Sequence, residues 1–159
     1  YLSAADAVVL TQLLNPGGAG TPLVRLAAGS FTTPAADRIP DEFRVSVAAG
    51  AALALGGAET VSVLLLESGT AAGSAVTFAA GSVVTGAVTV PTTGTGAVGA
   101  TVGGPFALSA GGHAVSVADG AAAADLTLTG TVSGAGGVTK SGAGALVLAA
   151  AGTYTGPTT

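Results

Sequence analysis

The sequence predicts an all-β fold wound as a stacked β-solenoid, with a β-sandwich as the alternative. Three observations point there. A short pattern recurs: apolar, any residue, apolar, two small residues, glycine. It reads VRLAAG at Val24, VSVAAG at Val45, VTFAAG at Val76 and VSVADG at Val115, with a stretched copy, LVLAAAG, at Leu146. In each copy the alternating residues point to opposite faces of a strand, and the glycine supplies the positive φ of a tight corner. Strand starts fall roughly every 8–15 residues, a spacing that fits a sandwich, a barrel or a solenoid. The corners decide between these. They are mostly Ala-Gly or Gly-Gly, with few of the Asn-Gly or Asp-Gly pairs that close hairpins, and there is no tryptophan to anchor a sandwich core.

Taken in order, the elements divide the chain as one domain over residues 1–159. Residues 1–22 open with YLSAADAVVLTQLLNPGG and read as a cap or assembly segment. A strand through AVVLTQLL is the favoured conformation. A short helix is the alternative, started by Ser3 and Asp6 at capping-box spacing and ended by Pro16 and its glycines. After the copy at Val24 comes PAADRIPDEFR. It holds five of the twelve charged residues: Asp37, Arg38, Asp41, Glu42 and Arg44. Pro34 and Pro40 keep it out of a central strand, so it is expected to be a surface loop with at most one helical turn. Weaker strand signals follow: LALGG at Leu53, VSVLLL at Val61, VTVP at Val88, FALSAGG at Phe106 and LTLTG at Leu126.

Composition narrows the function classes. Hydrophobic residues are 49% of the chain but aromatics only 4%, with 36 alanines and 27 glycines. Such a core is thin and is expected to leave no large cavity. Charged residues are 8%, against about 25% in ordinary soluble domains. The net charge of −4 carries none of the basic footprint of a nucleic-acid binder. With no cysteine, disulfides and thiolate metal sites are excluded. Ser68 to Ala118 is free of Asp, Glu, Lys and Arg. It lacks the roughly 20 continuous apolar residues of a membrane span, because Gly, Ser and Thr recur and Pro91 and Pro105 interrupt it. Tyr1 opens without a basic leader, and the chain reads as a mature or excised piece of something longer.

The last stretch carries a resemblance. Gly136-Gly137-Val138-Thr139-Lys140-Ser141-Gly142-Ala143-Gly144-Ala145-Leu146-Val147-Leu148 is followed by Thr153-Tyr154-Thr155-Gly156-Pro157-Thr158-Thr159. Glycines, lysine and the Tyr-Thr-Gly corner fall in the order of the autotransporter-associated β-strand repeat, which residues 134–159 resemble. Gly152 stands where that family carries Asn, so an asparagine ladder is not implied. The resemblance implies a right-handed parallel β-helix on a secreted bacterial surface protein, without catalysis. It also implies that Thr159 falls just before a further strand. The edge Tyr154, Thr155, Gly156, Pro157, Thr158 and Thr159 is then expected to be unpaired and to be completed by another copy.

Motifs that look like chemistry are weak beside this. GTGAVG, residues 94–99, has the letters of a dinucleotide loop but is followed by ATVGGPFALS, which is not helical. GAGGVTKS, residues 134–141, lacks the glycine before the lysine of a phosphate loop, so Lys140 reads as an exposed charge on a turn. His113, the single histidine, follows two glycines and reads as an exposed turn residue; one His makes no multi-His metal site. Asp119 and Asp125 flank GAAAA and are the candidates for polysaccharide chemistry, with Glu59, Glu67 and Lys140 as further members. The favoured reading is two solvated turn residues.

The expected function is therefore structural, with no enzyme activity and no cofactor: a solenoid segment at the bacterial cell surface or outside the cell that assembles head to tail into a filament or surface layer. The alternative is an adhesin that binds a glycan or host-surface ligand. The loop Asp37, Arg38, Asp41, Glu42 and Arg44 is the expected interaction loop. Nucleic acid and membrane spans are not expected.

Overall fold

The computed structural model describes residues 23–91 and 96–159, all strands, corners and loops, with no helix among them. Three parallel sheets wrap a single core. The first holds β1 (Leu23–Leu26), β3 (Arg44–Val47), β6 (Val63–Leu66), β9 (Val88–Val90), β12 (Gly112–Val117) and β15 (Gly137–Ser141). The second holds β2 (Ser30–Thr33), β4 (Ala52–Leu55), β7 (Ala75–Thr77), β10 (Ala100–Gly103), β13 (Leu126–Leu128) and β16 (Leu146–Leu148). The third holds β5 (Thr60–Val61), β8 (Ser82–Val84), β11 (Phe106–Leu108) and β14 (Val132–Gly134). The chain visits the sheets in rotation, so consecutive strands lie in different sheets. Every strand pairs in parallel with the strand of the same sheet one turn away. This is a parallel β-helix of about five turns, and the sandwich alternative is set aside.

Register shows why this sequence stacks. Val24, Val45, Leu64, Val88 and Val115 lie above one another in the first sheet, and Lys140 follows them. Successive members are 21, 19, 24, 27 and 25 residues apart, so the loops absorb the irregularity and the strands keep register. In the second sheet Leu53, Val76, Val102, Leu128 and Leu148 form the matching column. The residues between them face outward, as the period of two requires. Gly29, Gly50 and Gly81 close three of the repeat copies with φ of 75°, 75° and 87°, the corner conformation that the sequence predicts. Phe78 and Phe106 meet within the core at 5.1 Å between ring centroids.

Several expectations are corrected. VSVLLL is not one strand: it breaks at Ser62, the corner between β5 and β6, where the Ser62 hydroxyl donates to the Phe43 carbonyl at 2.7 Å. Residues 34–43 form bends and a turn rather than a helical turn. They stand in the first turn where later turns have a third-sheet strand. That missing strand leaves a cavity of about 390 Å³, contrary to the expected absence of one, walled by Val24, Leu26, Phe31, Ile39, Val45 and Leu53 among others. The conformation and capping role expected for residues 1–22 lie outside the described residues.

Register sets Ser74 between Ala51 and Ala100 in the core, both 1% exposed, and its hydroxyl has no hydrogen-bond partner among the described residues. A buried, unsatisfied hydroxyl opposes folding. Ser74→Ala is expected to stabilise the fold by about 1 kcal/mol, read as a higher urea midpoint at unchanged slope. A lower midpoint would show that the hydroxyl is bonded in solution.

Candidate functional site

The two sequence-predicted site regions lie at opposite ends of the stack. Of the interaction loop, Asp37, Arg38, Asp41 and Glu42 are exposed, while Arg44 begins β3 and is half-buried. None of the five forms an ion pair with a described residue; the pair among the described residues is Arg25–Glu67, at 3.1 Å. In the outward column Arg25, Ser46, Leu65, the Arg25 side chain runs along the solenoid to Glu67, just past Leu65. This places it over Ser46, which is buried although its alternation points outward.

The loop is held by its backbone rather than by its charges. Glu59, 2% exposed, sits one turn along the solenoid. Its carboxylate accepts the Arg38 N–H at 2.7 Å and the Ile39 N–H at 3.1 Å, one on each oxygen. The Asp37 N–H donates to the Ala58 carbonyl, and Asp37 takes the left-handed φ of 55° that this local chelation requires. Ile39 is thereby set into the core at 5% exposure.

Asp125 repeats the device near the other end. It is 1% exposed, not a solvated turn residue, and its two oxygens accept the Gly120 N–H at 2.9 Å and the Ala145 N–H at 2.8 Å. One carboxylate thus fixes the 119–124 corner and the entry to β16. Asp119 is exposed and does not share this site. The carboxylates of Glu59 and Asp125 belong to different turns and face different amides, so the acids considered for polysaccharide chemistry are not brought together. Among the described residues no cluster of three His, Asp or Glu side chains could hold a metal.

His113 is also corrected. It lies in β12 with 3% exposure, pointing inward with Val115 and Val117. Its Nδ1 is 3.1 Å from the Gly86 carbonyl of the preceding turn, and its Nε2 is 2.9 Å from the Ser109 carbonyl and 3.3 Å from the Ser109 hydroxyl. It is a buried tie between two corners. Lys140 sits on β15 rather than on a turn, capping the column that ends at Val115. Its half-buried stem covers that column while Nζ donates to the Gly142 carbonyl at 2.6 Å, as long basic side chains do at apolar edges. Residues 137–141 are thus a strand, not a phosphate loop. Of GTGAVG, residues 94–95 lie outside the described residues, and β10 rather than a helix follows it.

The C-terminal edge is more ordered than the sequence implies. The Thr153 and Thr155 N–H groups donate to Val132 and Gly134, extending the third sheet past β14. Tyr154 packs on the core, and its hydroxyl lies 2.7 Å from that of Thr158. Thr158 then bridges Val138 in parallel, and the Lys140 N–H donates to the Thr159 carbonyl. Pro157, Thr158 and Thr159 therefore already run along β15 in the first sheet, and Gly156 makes the corner. Among the described residues, what stays open is the far side of this edge and of β16. There Val147 and Leu148 are each 40% exposed, although Leu128, one turn below Leu148, is 4% exposed.

No family model, curated protein or solved structure matches the chain. No helix among the described residues is long and apolar enough to cross a membrane.

Proposed function

We propose that this chain is a structural β-solenoid segment of a secreted bacterial surface protein, and that copies stack end to end into a filament or surface layer. The observation that carries this reading is the last turn. Among the described residues its strand edges are unpaired on one side, its second-sheet column ends on exposed Leu148, and the outward-facing Val147 beside it is exposed too. An open strand edge beside apolar side chains is a template for further pairing, and a solenoid turn buries its inner face only against a neighbour. The resemblance of residues 134–159 to the autotransporter-associated repeat supports a surface location. It also supports a non-catalytic role, as does the engagement of both buried carboxylates by backbone amides.

The glycan-binding alternative calls for grouped, exposed aromatics. Phe78 and Phe106 are buried, and the half-buried Phe31 and Phe43 of the first turn lie far along the stack from the half-buried Tyr154 of the last, which favours assembly. Negative-stain imaging and sedimentation over a concentration series test it. Rods that lengthen with concentration, and that shorten when Leu148→Lys charges the open edge, are the expected result. A monodisperse monomer at high concentration would remove the assembly reading.

A further inference from the structure

The open end of the solenoid differs between its sheets. In the second sheet the inward column ends on Leu148, one turn past Leu128. In the first sheet the inward column runs Val24, Val45, Leu64, Val88, Val115 and then Lys140. Val45, Leu64, Val88 and Val115, each covered by a further turn, are all buried. Lys140 therefore holds a position that becomes core as soon as a strand covers it. The alternation of β15 puts it there: Val138 is buried, Thr139 and Ser141 are exposed, and Lys140 is half-buried. Thr158 pairs with Val138, so register sets Thr159 over Thr139 and no described residue over Lys140. Nζ reaches out to the Gly142 carbonyl at an exposed corner, and no carboxylate among the described residues pairs with it.

We propose that Lys140 restrains end-to-end stacking: it is an inward-pointing charge at the open end of the first sheet, and it weakens pairing with any strand that would bury it. The inference rests on the stacking reading and adds what limits it. Natural sheets guard their edges in this way, with inward-pointing charges and with lysine in particular. A strand that continued the column would bury Lys140 as β15 buries Val115. Burying an ammonium group without a carboxylate is unfavourable. Keeping Nζ in solvent at the corner avoids that, but it fixes a long side chain in one bent path at a cost in entropy. The Leu148 column thus favours pairing and the Lys140 column opposes it. Stacking is then reversible and set by concentration, rather than running on from any exposed edge.

Lys140→Met tests this, because Met keeps an unbranched side chain and removes the charge. Sedimentation of the full chain and of the variant over a concentration series gives the midpoint of assembly for each. Lys140→Met is expected to assemble at a concentration at least about tenfold lower than the parent, as rods by negative stain and with unchanged circular dichroism. Lys140→Arg keeps the charge at every working pH and should keep the parent midpoint. Rods at equal midpoints in Lys140→Met and parent overturn the proposal and leave the stacking reading standing; Nζ would then stay in solvent within the stack. A midpoint for Lys140→Arg as low as that of Lys140→Met also overturns it, because charge would not be the restraint. Amorphous aggregate from Lys140→Met in place of rods counts against it in the same way, since a freed edge should extend the solenoid. A parent that stays monomeric while Lys140→Met forms rods upholds the restraint and removes the assembly reading for the native chain. Monomers throughout remove both.

Discussion

Glu59→Ala is expected to lower the unfolding free energy by about 3 kcal/mol and to open loop 34–43 to protease before the rest of the molecule. The carboxylate is 2% exposed and accepts two amides, those of Arg38 and Ile39. Deleting it strands the buried Ile39 donor and the part-buried Arg38 donor, and a buried unpaired donor costs about 1–3 kcal/mol. Ile39 loses its anchor at the same time. The Arg38–Ile39 bond is a tryptic site whose amide is one of the two held donors, so cleavage reports the release directly. Trypsin should cut after Arg38 at least about tenfold faster in Glu59→Ala than in the parent under native conditions. Glu59→Gln keeps one acceptor oxygen but turns an amide donor toward the other N–H, so it should fall between the two. Unchanged cleavage in Glu59→Ala would mean that the loop is fixed by Ile39 packing alone.

The same residue shows where sequence reading runs out. Strands with apolar alternation, such as VRLAAG or VSVAAG, are legible because one face must be buried and the period is two. Those without it are not: β2 is SFTT, β8 is SVV and β14 is VSG, and each is held by register with neighbouring turns rather than by its own pattern. Glu59 and Asp125 look like turn acids because each follows small corner residues. The available signal is that each directly precedes a strand, in ETV and DLTL, where an inward carboxylate can collect amides from an adjacent turn. His113 hides in the same way. The glycines before it suggest a turn, but His113, Val115 and Val117 share one face of β12, and that alternation predicts burial. At the C-terminus the Tyr-Thr-Gly corner is legible, while the return of Thr158 onto Val138 depends on backbone pairing across a full turn.

Close stacking itself predicts the second large effect, at Gly104. This corner residue has φ of +75°, and a Cβ built on it would overlap the Phe78 carbonyl of the turn below. Gly130, one turn further, meets the Gly104 backbone in the same way, so three turns touch main chain to main chain at this corner. Gly50 has the same φ of +75° but nothing within 4 Å of its added Cβ. The pair therefore separates two costs. Gly50→Ala pays only for the left-handed backbone, about 1–2 kcal/mol. Gly104→Ala adds backbone overlap that no side-chain rotation relieves, and is expected to reach about 4 kcal/mol, in the range reserved for core disruption. Because each turn is stabilised by its immediate neighbours, the damage should centre on the stack around β10 and β11, with hydrogen exchange rising there while β3 and β4 stay protected. Equal urea midpoints for Gly50→Ala and Gly104→Ala would contradict this packing and require the turns to sit further apart at that corner.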